Sequence, residues 1–169
     1  RGLADGLLAA YPKIDVLANN AGGMVGSYVR TVDGFEATMQ GNHLAPFLLT
    51  HLLLDRLRAS APARVVTVSS GAHVTGRIDF DDLQGSASYS GQRAYAASKL
   101  ANIMFTYELA RRLDGTGVTA TVLHPGVVRT NFGAEDPAGI KAILPLVRPF
   151  LKSAAAGAAT TIYLASSKA

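Results

Sequence analysis

Tyr95 and Lys99 lie four residues apart in the run Arg93-Ala-Tyr-Ala-Ala-Ser-Lys-Leu-Ala-Asn102. On a helix this spacing stacks a phenol and an ammonium on one face, one turn apart. Two readings compete. The first is a surface pair on an amphipathic helix. The second is a general acid/base whose ionised form is favoured by the neighbouring cation. A free phenol titrates near ~10, so proton transfer near neutrality needs its phenolate favoured by roughly 3–4 kcal/mol. A cation about 4 Å away, at an effective dielectric of ~20, contributes roughly 4 kcal/mol. Lys99 therefore suffices in sign and size. Spacing alone does not choose between the readings, and the rest of the chain has to.

Three short β-branched runs punctuate the sequence: Ile14-Asp-Val-Leu-Ala18, Arg64-Val-Val-Thr-Val-Ser69 and Val118-Thr-Ala-Thr-Val-Leu123. Long helical patterns over 33–59 and 93–114 separate them, and an alanine-rich helix is predicted over 153–166. Short strands alternating with long helices imply an α/β chain, with βαβ units and a parallel sheet covered by helices on both faces. Asp33-Gly-Phe-Glu36 reads as a capping box opening the first long helix. Asp114-Gly-Thr-Gly117 closes the second with glycine where a left-handed turn is wanted. Residues 131–152 read as irregular or short-helical.

Ligands of an open parallel sheet bind beyond the carboxyl ends of its strands. The segments after the three runs are Asn19-Asn-Ala-Gly22, Ser69-Ser-Gly71 and His124-Pro-Gly-Val-Val-Arg-Thr130. All are small, polar or glycine-containing, as close approach of backbone to a ligand requires. Tyr95 and Lys99 begin the helix that follows Ser70 and so rise from the same rim. Tyr89 and Tyr107 also precede an arginine by four, but neither sits after a strand.

Composition excludes several classes. The 169 residues are 49% hydrophobic and 17% charged, enough for one globular core. No cysteine is present, which removes disulfides, thiolate zinc sites and cysteine nucleophiles. The formal charge of +4 comes from scattered basic residues without interleaved aromatics, so nucleic acid is not an expected partner. No run approaches the ~20 apolar residues of a membrane span. The four histidines show no ligand spacing, and no metal site is expected. The first residues, Arg-Gly-Leu-Ala-Asp, read as the inside of a helix, so the chain is expected to be one incomplete domain, 1–169, of something longer.

Asn19-Asn-Ala-Gly22, Ser70, Tyr95-x-x-x-Lys99 and Pro125-Gly126, in this order and spacing, resemble the motifs of short-chain dehydrogenases/reductases. Gly41-Asn-His-Leu44, Phe47-Leu-Leu-Thr50, Ser98-Lys-Leu-Ala-Asn102 and Glu108-Leu-Ala-Arg-Arg112 are similar to the retinol-dehydrogenase-like branch. The resemblance runs over the whole chain. It departs from the family where the glycine-rich fingerprint with the first three strands, and the last strand, would stand. It implies a partial Rossmann-type, doubly wound sheet and a cofactor, NAD or NADP. It also implies hydride transfer to or from an alcohol or carbonyl, with Tyr95 as proton donor/acceptor and Ser70 holding the substrate oxygen. Lys99 would bind the nicotinamide ribose as well as support Tyr95. The main-chain carbonyl of Asn42 would hold a relay water, and Pro46, which has no N–H, leaves that carbonyl without its helical partner. Asn19, Asn20, Ala21 and Gly22 would line the adenine-ribose region. Pro125, Gly126, Val128 and Thr130 would face the nicotinamide, Val128 through its backbone.

The expected substrate is a small apolar alcohol or ketone, from Phe80, Leu83, Phe132, Ile140, Leu144 and Phe150 in the variable segments 72–92 and 131–152. A homo-oligomeric parent and a cytoplasmic location complete the expectation. The rival from another class is a catalytically silent piece serving as a structural or interaction module.

Overall fold

The computed structural model describes residues 1–128 and 152–167. The chain opens with helix α1 (Gly2–Ala10). Two carbonyls near its C-terminal end, Leu8 O and Tyr11 O, accept from the Arg56 guanidinium, which stands in for the missing helical donors. Strand β1 (Val16–Asn19) leads to α2 (Ala37–Met39), a π turn (Gln40–Leu44) and α3 (Ala45–Ala59). Strand β2 (Ala63–Val68), a 3-10 turn (Gly71–Thr75), α4 (Gly91–Arg112) and β3 (Val118–Leu123) follow. Helix α5 (Ala154–Ser166) ends the described chain, opened by the Ser153 hydroxyl accepting from Ala156 N.

The three strands form one parallel sheet in the order β1-β2-β3. Asn19 stands opposite Thr67, and Val68 opposite Leu123, so all three strands finish at one edge. Alternation along β2 sorts the helices onto two faces. Ala63 and Val65 face a core built with Ala4 of α1, Leu53 and Leu57 of α3, Leu109 of α4, Leu113 and Val118. Burying each of the larger side chains contributes roughly 1.5–3 kcal/mol. Arg64 points the other way and donates to Leu164 O and to Ser167 at the end of α5. The doubly wound α/β arrangement expected from the sequence is present.

Two local readings are corrected. Asp33 does not cap the first long helix. Gly34 turns the chain through a left-handed conformation at φ +87°, and Asp33 accepts from Gln40 Nε2 instead. Glu36 is the cap: its buried carboxylate accepts from Thr38 N at 2.9 Å and Met39 N at 2.7 Å. The helix itself is interrupted by a π turn, in which Ala45 N–H reaches back five residues to Gln40 O. The closing glycines are as read, with Gly115 at φ +73° and Gly117 at φ +76°.

Candidate active site

The segments that follow β1 and β2 converge with the first turns of α4. Ser70 follows β2, and its hydroxyl accepts from Ala72 N to open the 3-10 turn. The same hydroxyl hydrogen-bonds the phenol of Tyr95, which is half-buried on α4. Lys99, one turn on, is only 4% exposed. Its Nζ lies 5.6 Å from the centre of the Tyr95 ring and donates to Val68 O at 3.1 Å. Ser69, the neighbouring serine, is turned away and donates to Lys99 O at 2.8 Å. Ser70, Tyr95 and Lys99 are thus brought together at one edge, while Ser69 is bonded to the backbone of α4.

The electrostatics differ from the sequence reading. Burial pushes the Tyr95 phenol above its ordinary value, and the Ser70 hydrogen bond lowers it only in part. Burial likewise pulls the Lys99 ammonium below its ordinary value. The ammonium sits over the ring, 5.6 Å from its centre. In the chain alone, burial of the phenol outweighs the acidification expected from Lys99. Without a bound nucleotide Tyr95 is held as a protonated phenol.

Asn42 is the hub beneath these residues, 2% exposed. Its side-chain carbonyl accepts from Gly23 N at 2.9 Å, and its amide donates to Gly23 O and to Ser98 Oγ, both at 2.9 Å. A Cβ at Gly22 would meet Asn42 Oδ1 at 3.0 Å and Lys99 Nζ at 3.2 Å, so glycine lets this loop lie close over the lysine without displacing either side chain. The main-chain carbonyl of Asn42 is not vacant, as Pro46 had implied. It accepts from Asn102 Nδ2 at 2.9 Å.

The remaining predicted residues are distributed unevenly. Asn19 is buried and donates to Thr50 Oγ1 at 3.0 Å, anchoring β1 to α3. Asn20 and Ala21 are exposed at the rim. Gly126 takes φ +80°, Pro125 O accepts from Lys152 Nζ at 3.4 Å, and Val128 bridges Lys152 and packs on Gly157. Thr130, and with it Phe132, Ile140, Leu144 and Phe150, lies outside the described residues. A hollow of about 750 Å³ beside the start of α4 is lined by Thr75, Arg77, Leu83, Tyr89, Arg93 and Ala97. Phe80 borders a different hollow, of about 500 Å³, on the outer side of α3 and α4.

Sequence reasoning missed Asn102 and His43 as partners of the site. The available signal was position: Asn102 follows Lys99 by three on the same helix face, opposite the carbonyl that Pro46 leaves unserved. Among the described residues no group of three or more His, Asp or Glu is placed to hold a metal. No helix among them is long and apolar enough to cross a membrane.

Close approach also fixes the helix that carries Tyr95. Gly91 opens α4 against the 23–26 loop, where a Cβ would fall 2.5 Å from Val25 O. Tyr89 OH donates to the same carbonyl at 2.7 Å. Gly91→Ala is expected to cost about 1–3 kcal/mol by overpacking, seen as a lowered melting temperature. An unchanged melting curve would mean the contact is slack.

The model of the family described as short chain dehydrogenase matches residues 2–140. Human retinol dehydrogenase 14 is 51% identical over 170 residues, covering 99% of this chain and 51% of that protein. Human retinol dehydrogenase 12 is 50% identical over 165 residues, covering 98% and 52%. The chain therefore spans about half the length of these relatives. A crystal structure of an uncharacterized protein from Mycobacterium paratuberculosis is 41% identical and superposes with a TM-score of 0.75, covering 98% of this chain and 55% of that one. The Pseudomonas aeruginosa RhlG/NADP complex is 30% identical with a TM-score of 0.71, covering 98% and 64%. Motif order, rim geometry and a family match over most of its length agree: this chain belongs to the short-chain dehydrogenase family.

Proposed function

We propose that the protein carrying this chain is a nicotinamide-dependent oxidoreductase that interconverts an apolar alcohol, of the retinol type named in its relatives, and its carbonyl compound. The observation that carries the reading is the Ser70–Tyr95 hydrogen bond beside the buried Lys99, at the carboxyl edge of a parallel sheet. The rim fits a nicotinamide nucleotide. Gly22 and Gly126 leave out side chains that would fill it, and the Lys99 ammonium approaches the Gly22 loop with a hydrogen-bonded carbonyl and a ring face beside it. Asn19, Asn20, Ala21 and Gly22 would line the adenosine side. Pro125, Gly126, Val128 and Thr130 would line the nicotinamide side.

When bound, the nucleotide supplies or takes the hydride. The chain's own residues manage the oxygen and its proton. Ser70 Oγ donates a hydrogen bond to the substrate oxygen and orients it toward Tyr95. The Tyr95 hydroxyl gives its proton to the oxygen in reduction and receives it in oxidation. Lys99 favours the phenolate once the site is loaded and contacts the ribose, while Asn42 anchors the loop that closes over Lys99. The protonated resting phenol suits the reductive direction, as no proton need be lost first.

Titrating the full-length protein with NADH and with NADPH, following nucleotide fluorescence, tests the reading. Saturable binding of one of them at micromolar concentration is expected, with reduction of the carbonyl counterpart of retinol or of a comparable apolar alcohol by that nucleotide. Binding of neither would favour a silent structural module instead.

A further inference from the structure

We propose that Asn102 is a positioning residue of this site: its carboxamide replaces the main-chain donor removed by Pro46, grips the π turn at two consecutive residues, and thereby sets where Asn42 holds the loop against Lys99. The inference rests on the oxidoreductase reading given above and adds a residue to it.

The geometry is specific. Asn102 is 3% exposed. Its Nδ2 donates to Asn42 O at 2.9 Å, and its Oδ1 lies 3.0 Å from His43 Nδ1. A carbonyl only accepts, so Nδ2 must face Asn42 and Oδ1 must face the imidazole. His43 Nδ1 must therefore carry a hydrogen and donate it. The imidazole is held in turn by Phe47 and Phe105, whose rings lie 6.0 and 6.1 Å from it. A buried carbonyl stripped of its donor is costly, and ordinary helix offers none because Pro46 stands in that place, so the π turn has a reason to relax toward water or another donor if Asn102 is lost. Relaxation would move the Asn42 side chain, which is bonded to Gly23 and Ser98. The Gly22 loop would shift against Lys99 with it. No atom of Asn102 needs to touch substrate or nucleotide for this. Thr106 Oγ1 donating to Asn102 O at 2.7 Å braces the same stretch of α4.

The test uses the full-length protein. Asn102→Asp keeps size and the acceptor for His43 but removes the donor to Asn42. It is expected to lower kcat by about tenfold to a hundredfold, the scale of a displaced catalytic group. KM should stay within about twofold, and the nucleotide dissociation constant should rise by less than kcat falls, through the shifted Gly22 loop. Asn102→Leu gives a second chance should the carboxylate prevent folding. Unchanged kcat in a folded variant, or equal losses in kcat, KM and nucleotide affinity, would overturn the assignment. Nitrogen NMR of wild-type imidazoles provides a readout independent of turnover. His43 should be the neutral tautomer protonated on Nδ1, and the Nε2–H tautomer would overturn the link. A wild type whose turnover does not depend on Tyr95 would instead sink the oxidoreductase reading, leaving the NMR result to judge the Asn102–His43 contact.

Discussion

Tyr95→Phe is expected to lower turnover by about two to four orders of magnitude in the full-length protein, the usual contribution of a placed acid/base. The NADH or NADPH dissociation constant should change by no more than about twofold. The substitution deletes one oxygen from a half-buried ring and leaves the Lys99 contact with the ring face intact. It also removes the partner of the Ser70 hydroxyl, which keeps its bond to Ala72 N. The fold should therefore persist, and the loss should fall on kcat rather than on binding. The pH profile adds a second criterion. Burial holds the wild-type phenol above its ordinary value, so oxidation, which needs the phenolate, should accelerate as pH rises. The residual rate of Tyr95→Phe should lack that dependence. Retained turnover, or the same pH profile in both proteins, would remove Tyr95 from the mechanism.

The strands and the rim were legible because period and composition are local signals. Val118–Leu123 is the third strand at the positions read, and the other two differ by one or two residues at their ends. Ser70, Tyr95 and Lys99 were legible because helix periodicity and strand order together place them at one edge. The start of the first long helix was misread for a tertiary reason. Glu36 can cap only because Gly34 turns the chain first, and its main-chain N–H is taken by Gln84 Oε1, 48 residues away. Pro46 announced a disturbed helix, but a missing N–H does not say what fills the gap. The answer, Asn102, lies on another helix 60 residues along. The acidity of Tyr95 was misjudged for a related reason. Four-residue spacing fixes which face Lys99 occupies, but it does not reveal that the phenol is buried deeply enough for desolvation to set its direction.

Lys99→Met should separate stability from function. Turnover is expected to fall by about two orders of magnitude or more, with a clear weakening of nucleotide affinity, because the ammonium both supports Tyr95 and meets the ribose. A loss confined to turnover would argue against the ribose contact. The nucleotide-free protein should nevertheless become more stable. Lys99 is buried, and among the described residues no carboxylate forms an ion pair with it. One carbonyl and one ring face offset only part of its desolvation. The folded state holds this proton less tightly than the unfolded chain does, since burial lowers the lysine from its ordinary value. The charge therefore costs stability at neutral pH. That cost shrinks as pH rises through the lowered folded value and vanishes above the unfolded one. Methionine fills a similar volume without charge, so its melting temperature should exceed the wild type's at pH 7 by more than at pH 10. A protein that carries such a cost holds a destabilised cation in readiness for a ligand. If Lys99→Met melts lower at pH 7, the ammonium is a structural contact and that account of the site fails.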